Sequence, residues 1–177
     1  MITMGIDAST TATGVAVFDG ENLIYHDTIR PKGEDWRERL FHQAPILDEI
    51  VKKYRPECAC IEDVPLKSSG GLKTLVILGA VQGMVYTTLA SNNVEAVFVS
   101  PTTWRSQLGM FDGTNEGKKR AVLKEKAINK ANELFGLNLG WFGTNSKKSE
   151  DDEAESILIC WSYIKHEKRS VRYGKKR

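Results

Sequence analysis

The order of strand and helix patterns along the chain limits its fold more than any other feature of the sequence. Residues 2–29 have the pattern of three consecutive short strands, with a turn of small residues over 8–13 and a tight turn signal at Asp19-Gly20. Helical patterns then alternate with short apolar strands. This order predicts an α/β fold with a mixed five-stranded sheet, three antiparallel strands followed by parallel strands, and helices on both faces.

The later elements are predicted from apolar spacing and from capping signals. A helix is expected over 35–54, with a kink or break at Pro45, and the last helix is expected to open at the N-cap Ser149. The apolar segment 72–90 is interrupted by Lys73 and Gln82, which indicates a buried helix rather than a membrane span. The remaining predictions are strands at 58–61 and 94–99 and helices at 101–107, 118–135 and 149–166.

Composition and cysteine usage favour a cytoplasmic protein. With 41% hydrophobic and 27% charged residues, the chain has the composition of a soluble globular protein, and we expect no secretory signal or membrane partner. Two of its three cysteines lie in Cys58-Ala59-Cys60, a spacing that fits neither a disulfide framework nor a zinc site. Alternation along a strand would place both on one face, so we expect buried, reduced thiols.

The two halves of the chain differ in charge. Residues 1–100 carry 9 Lys and Arg against 13 Asp and Glu, whereas residues 101–177 carry 16 against 10. The positive charge is concentrated in a cluster at 118–130 and in a tail at 165–177. Such clusters suit a polyanion such as nucleic acid, although a solvated helix face and a basic tail would give the same pattern.

Four acidic residues stand at positions where a site can form. Asp7 closes the first strand and Glu62 closes the fourth, so parallel pairing of these strands would bring both carboxylates to one end of the sheet. Asp152 and Glu155 are three residues apart on the last helix and share a face. Taken singly, each acid is explained as well by a cap or a turn. Together they predict a site.

Converging carboxylates repel one another unless cations lie between them. An all-oxygen site suits Mg²⁺ or Mn²⁺, and two such ions can activate a water and stabilise the leaving oxygen in phosphodiester hydrolysis. The chain has three histidines, and none is near these acids in the sequence, so a histidine base is not expected.

Five segments together resemble the RuvC family of Holliday junction resolvases, of the bacteriophage type, within the ribonuclease H-like superfamily. They occur in the family's order over about residues 3–163. The segments are GIDASTTATGVAV, RL…PECACIEDV, LKTLVILGAVQGMVYTTLA, VFVSPTTWRSQLG and DDEAESILICW.

The resemblance implies a nuclease domain over 1–166 and a basic tail over 167–177. It implies an endonuclease that resolves four-way junctions by paired nicks that leave 5′-phosphate and 3′-hydroxyl ends, with forks and flaps as further candidate substrates. It further implies a homodimer in the cytoplasm, of the host cell if the chain is phage-encoded. The implied metal ligands, for two Mg²⁺ or Mn²⁺ ions, are Asp7, Glu62, Asp152 and Glu155. The family's lysines near the scissile phosphate correspond to Arg105 and to either Lys118 or Lys119, and we expect Arg120 and Lys124 of the basic cluster to contact DNA as well.

The chain departs from the family pattern in its last motif and after the fourth strand. Glu155 stands where the family usually has Asp, and Asp151 competes with Asp152 as a ligand. Pro65 stands where the family often has an aromatic that unstacks the junction, and Phe111 is a candidate substitute.

Gly79 and Gly83 would permit close helix packing, either across a dimer interface or within the chain.

Two other functions fit parts of the sequence. The segment GIDASTTATGVAVFDG also resembles the first phosphate motif of sugar kinases and actin-like ATPases, but the chain lacks the second domain that such folds need. A non-catalytic protein that binds branched DNA would explain the basic clusters without the acids.

Overall fold

The computed structural model describes residues 1–64, 71–144 and 146–166, so Pro65 and the predicted tail over 167–177 lie outside the described residues. Five described strands form one sheet in the order β3-β2-β1-β4-β5. The pairs β1–β2 and β2–β3 are antiparallel, and β1–β4 and β4–β5 are parallel. The strands are β1 Ile2–Asp7, β2 Thr13–Asp19, β3 Asn22–Ile29, β4 Cys58–Glu62 and β5 Glu95–Val99.

Helices cover both faces of this sheet, as the sequence predicted. The α1–α2 face is packed by Met4, Ile6 and Val15 of the strands, and the opposite face buries Cys58 and Cys60 against α4 and α5. The buried thiols of these two cysteines confirm that they share a face. The helices are α1 Trp36–Tyr54, α2 Gly71–Ser91, α3 Pro101–Gln107, α4 Arg120–Phe135 and α5 Asp151–His166.

The sequence predicted a kink or a break at Pro45, and of the two the break is wrong, because helix α1 is continuous through this residue. Asp35 caps its start, because its Oδ1 accepts hydrogen bonds from the backbone nitrogens of Arg37 and Glu38 at 2.7 and 3.0 Å. Leu47 and Val51, after the proline, are buried against the sheet. Capping and burial together offset the hydrogen bond that proline removes.

Helix α2 is less buried than the sequence predicted. Only Val81, Val85 and Leu89 are fully buried, whereas Leu72 is 79% and Val76 60% exposed. Of the described helices, α2 is the one long and apolar enough to cross a membrane by length and composition, a test that a core helix of a soluble protein also passes. The prediction of a buried helix is therefore correct for one side of α2 only.

Two predicted helix starts are displaced along the chain. Helix α4 begins at Arg120 rather than at Lys118, because Lys118 ends a short 3₁₀ turn and Lys119 is extended. Helix α5 begins at Asp151, and Ser149 does not act as the predicted cap. The Ser149 hydroxyl instead accepts from the Phe142 backbone nitrogen and donates to the Gly143 carbonyl, so it closes the preceding loop.

Two glycines allow α5 to lie directly on the sheet. A β-carbon at Gly14 would stand 1.8 Å from the Asp152 carbonyl oxygen, and one at Gly5 would stand 2.1 Å from the Ser156 carbonyl oxygen. Gly5 lies on β1 and Gly14 on β2, opposite Asp7 in the antiparallel register. The first turns of α5 are therefore fixed against the end of β1 by backbone contact.

Replacing Gly14 by alanine should push the start of α5 off the sheet, since the neighbouring atom is backbone and cannot rotate away. We expect Gly14→Ala to lower the free energy of unfolding by about 1–3 kcal/mol or more, as overpacking does, measured by urea denaturation. The control is Asn129→Ala, at an exposed position in the interior of α4. This change should be neutral or stabilising by up to about 1 kcal/mol. Equal stability of the two variants would contradict the packing role of Gly14.

Candidate active site

Asp7 and Glu62 meet at one end of the sheet because their strands are parallel neighbours. Ile6 pairs with Ile61 in the register of β1 and β4, so the next residues, Asp7 and Glu62, are also side by side. Side chains alternate along a strand, so Asp7 projects to the same face as Gly5, which contacts α5. Both carboxylates therefore lie on the α5 side, as their positions in the sequence predicted.

Helix α5 brings the other two predicted acids to the same place. Asp152 and Glu155 lie in its first two turns, and the carboxylates of both act electrostatically on Asp7. The Glu155 side chain is only 4% exposed and the Asp152 side chain is 22% exposed. Three separate segments of the chain thus bring four carboxylates together.

Arg105 on α3 lies between two of these carboxylates. Its Nη2 atom is 2.7 Å from Glu155 Oε1 and 3.4 Å from Glu62 Oε1. Its neighbour Trp104, which is fully buried, donates from Nε1 to the same Glu62 oxygen at 2.9 Å. Glu62 is therefore held by an indole and a guanidinium at once.

Lys124 on α4 is a second buried cation at the site. Its Nζ donates to Asp151 Oδ2 in a short hydrogen bond and lies 3.6 Å from Asp152 Oδ1. Asp151 is therefore engaged by Lys124, whereas Asp152 is among the carboxylates that act on Asp7. This difference supports Asp152 over Asp151 as the member of the carboxylate group.

Burial and mutual repulsion make the carboxylates hard to ionise. Burial, together with the charges of Glu155, Glu62 and Asp152, raises the pKa of Asp7 well above its ordinary value. Burial and Glu155 raise the pKa of Glu62 to about 7, although Arg105 acts in the opposite direction. Burial, Asp151 and Glu155 raise the pKa of Asp152 to about 6, against the effect of Lys124. Added cations would relieve this repulsion.

The residues predicted to contact DNA fall into two groups. Lys118, Lys119 and Arg120 are exposed at the start of α4, although Lys119 also pairs with Glu116 at 2.6 Å. Arg105 and Lys124 are instead largely buried and pair with carboxylates. The first group is free to meet a polyanion as it stands, and the second neutralises the acidic site.

Sequence reasoning missed Trp104, Arg30 and Glu153. Arg30 follows β3, donates to the Ser149 carbonyl oxygen at 3.3 Å and lowers the pKa of Asp152. Glu153 is buried and bonded to His26 of β3. These contacts join residues more than 100 positions apart, which no local pattern reveals. Of these three residues, Trp104 was the one that the sequence could have indicated, because it directly precedes Arg105 in the segment VFVSPTTWRSQLG.

The oxygen ligands of the site suit a hard divalent cation, but they are not arranged around one position. Its four carboxylates supply only oxygen, which Mg²⁺ and Mn²⁺ prefer. Among the described residues, no group of three or more His, Cys, Asp or Glu side chains is arranged to hold a metal ion. Arg105 lies between Glu62 and Glu155 and pairs with both. The carboxylates therefore fit such an ion by their chemistry, and a guanidinium stands between two of them.

The raised pKa of Glu62 predicts that the metal-free protein loses stability as the pH rises. The ordinary pKa of glutamate is 4.5, so the folded state keeps the Glu62 proton at pH values where the unfolded chain has lost it. The stabilisation by this proton is therefore complete below about pH 4.5 and is lost as the pH rises to about 7. Relative to wild type, Glu62→Gln should gain on the order of 2 kcal/mol between these limits, measured by urea denaturation in EDTA. Asp63→Asn, at the exposed neighbour, is the control. If the difference in the free energy of unfolding between Glu62→Gln and wild type did not change with pH, the pKa of Glu62 would not be raised in the folded protein.

Comparison with known proteins supports the resemblance over nearly the full chain, although no protein-family model matches it. Crossover junction endodeoxyribonuclease RuvC from Brachyspira hyodysenteriae is 28% identical over 170 residues, covering 92% of this chain and 93% of the relative. RuvC from Nitratidesulfovibrio vulgaris strain DP4 is 28% identical over 161 residues, covering 89% of this chain and 87% of the relative.

Solved structures show the same fold. Thermus thermophilus RuvC in complex with a Holliday junction matches with a TM-score of 0.70 at 16% identity, covering 95% of each chain. The yeast mitochondrial Holliday junction resolvase Ydc2 matches with a TM-score of 0.59 at 15% identity, covering 92% of this chain and 77% of Ydc2. The sheet is thus of the ribonuclease H-like type. In sequence and in fold, the chain is similar to the RuvC Holliday junction resolvases.

Proposed function

We propose that this protein is a metal-dependent, structure-selective endonuclease that resolves Holliday junctions and other branched DNA by paired nicks. One observation carries the proposal: three segments of the chain gather four carboxylates at one end of a RuvC-like sheet. The reaction is hydrolysis of a phosphodiester, leaving 5′-phosphate and 3′-hydroxyl ends. The four acids are Asp7, Glu62, Asp152 and Glu155.

These carboxylates would hold Mg²⁺ or Mn²⁺, two ions in each site. Bound ions of this type activate the attacking water and stabilise the leaving oxygen of an in-line displacement. The protein fixes the ligands beforehand: Trp104 holds Glu62 at 2.9 Å, and the backbone contact at Gly14 holds the first turn of α5. Glu155, one methylene longer than the family's usual Asp, is 3% exposed and accepts a hydrogen bond from Arg105 at 2.7 Å.

The exposed cations at the start of α4 would hold the DNA backbone. Lys118, Lys119 and Arg120 are adjacent and exposed, and neutralising phosphates releases counterions that favour binding. Lys124, in the next turn of α4, reaches the site acids and so links this surface to the carboxylates. The basic tail over 167–177 is a further phosphate contact in this proposal.

A non-catalytic DNA-binding protein is the main alternative, and an ATP-binding kinase-like protein is the lesser one. A protein that had lost the chemistry would have no reason to gather four acids at the cost of raising the pKa values of Asp7, Glu62 and Asp152. Metal-dependent nicking of a synthetic four-way junction supports the nuclease. Binding without cleavage supports the first alternative, and ATP turnover without nicking supports the second.

Replacing Asp7 by asparagine should abolish cleavage but keep junction binding, because less negative charge then faces the phosphates. We expect a loss of more than about 100-fold in nicking rate, since even outer-shell partners of metal ligands are worth 10–100-fold. The assay follows both nicks on a labelled junction and measures binding separately in Ca²⁺. Asp63→Asn, beside Glu62 but exposed and bonded to Gln82, is the matched control and should cut normally. Full cleavage by the Asp7→Asn variant would remove Asp7 from the mechanism.

We further propose a homodimer, which places two sites on the two symmetric strands of a junction. One stripe of α2 is exposed, uncharged and largely apolar, with members spaced alternately four and three residues apart. Among the described residues, nothing outside the backbone of α2 itself lies within 4 Å of a β-carbon built at Gly79 or Gly83, so these glycines do not pack closely against another described element. Such a contiguous patch is typical of an interface. The stripe consists of Leu72, Val76, Gly79, Gly83 and Tyr86.

A charge in the α2 stripe should separate the subunits without unfolding them. Val76 is 60% exposed, so Val76→Glu should alter the stability of the monomer by no more than about 0.5 kcal/mol. We expect this variant to sediment as a monomer and to make unpaired nicks. Phe142→Ser, which changes a 63% exposed aromatic on the opposite side of the sheet, should leave the dimer intact. A dimeric Val76→Glu variant would place the interface elsewhere.

The proposed location is the cytoplasm, that of the host cell if the chain is phage-encoded. Cys58, Cys60 and Cys160 are buried, which suits a protein kept in a reducing compartment.

A further inference from the structure

Arg105 differs from Lys124, the other buried cation at the site, in the carboxylates that it contacts. Both carboxylates that it contacts, Glu155 at 2.7 Å and Glu62 at 3.4 Å, belong to the four acids assigned to metal binding. The Nη2 atom of Arg105 contacts the Oε1 atom of each glutamate. A divalent ion shared by Glu62 and Glu155 would need the space between them, so the guanidinium and the ion compete for one position.

Lys124 does not face this competition. Its shortest contact is to Asp151, which is not one of the four acids, and Asp152 is farther away at 3.6 Å. A metal ion could therefore bind to Asp152 while Lys124 remains paired with Asp151. For Arg105, metal binding removes both anionic partners at once.

The surroundings of Arg105 favour its departure. Its Nε atom is buried, and within residues 1–64, 71–144 and 146–166 it has no hydrogen-bond partner, so this position leaves one strong donor unsatisfied. Its side chain is 16% exposed, which leaves it a route towards solvent. Glu62 would stay in place when the guanidinium leaves, because Trp104 Nε1 holds it independently.

We propose that Arg105 is an exchangeable counter-ion, which holds Glu62 and Glu155 together until a divalent metal ion takes its place. The inference rests on the proposed metal-dependent function and adds a second role for a residue predicted to bind DNA. In the metal-free protein, the guanidinium offsets the repulsion between the two carboxylates. Metal uptake releases it at the mouth of the site, where it can pair with a phosphate of the substrate.

The test measures binding of Mn²⁺ alone, without DNA, by titration calorimetry at pH 8.5. Arg105→Gln removes the competing charge and should bind the first Mn²⁺ at least about tenfold more tightly than wild type, since the charge-assisted hydrogen bond to Glu155 and the ion pair with Glu62 no longer have to be broken. Arg105→Lys keeps the charge and should stay close to wild type. Lys130→Gln is the matched control, because it removes one positive charge from an exposed pair with Glu133 on α4.

Each outcome decides the inference. Unchanged or weaker Mn²⁺ binding by a folded Arg105→Gln variant, with its fold checked by circular dichroism, would overturn the exchange and leave the nuclease proposal standing. An equal gain in Mn²⁺ affinity in the Lys130→Gln variant would show that the gain follows from net charge alone, and this result would also overturn the exchange. Failure of wild type and Arg105→Gln alike to take up Mn²⁺ would overturn both the exchange and the metal-dependent function.

Discussion

The close contact between α5 and the first two strands is the constraint on which the site depends. Gly14 and Gly5 remove the β-carbons that would otherwise meet the backbone of α5 at about 2 Å. The first turns of the helix therefore lie directly against the end of β1, where Asp7 stands. Without this approach, Asp152 and Glu155 would lie a side chain's width farther from the sheet, and the four acids would not act on one another.

Gathering four carboxylates creates an electrostatic cost that the fold meets with two buried cations. Burial raises the pKa of Asp7, Glu62 and Asp152, and the nearby acids raise it further. Arg105 and Lys124 offset part of this cost, one from α3 and the other from α4. The two cations act on different acids, because Arg105 pairs with Glu155 and Glu62, whereas Lys124 bonds to Asp151 and lies near Asp152.

The order of the strands along the chain, the helices on both faces of the sheet and the positions of Asp7 and Glu62 at strand ends could be predicted because they follow from local patterns. Alternation along a strand determines which residues share a face, and a parallel crossover brings strand ends together. Other predictions failed where tertiary contacts decided. The Ser149 hydroxyl bonds to the loop at Phe142 and Gly143, and α1 continues through Pro45 because its flanking residues are capped or buried.

The sequence by itself determined the order of the elements, the four acids at their ends and the basic character of the second half. These properties are local, since they depend on residue type and on spacing of two to four residues. Only the tertiary structure decided that Arg105 and Lys124 face the acids rather than the solvent, that Trp104 holds Glu62, and that one side of α2 stays exposed. Such contacts join residues tens of positions apart, and they form only when the packed helices bring oppositely charged and apolar groups within reach.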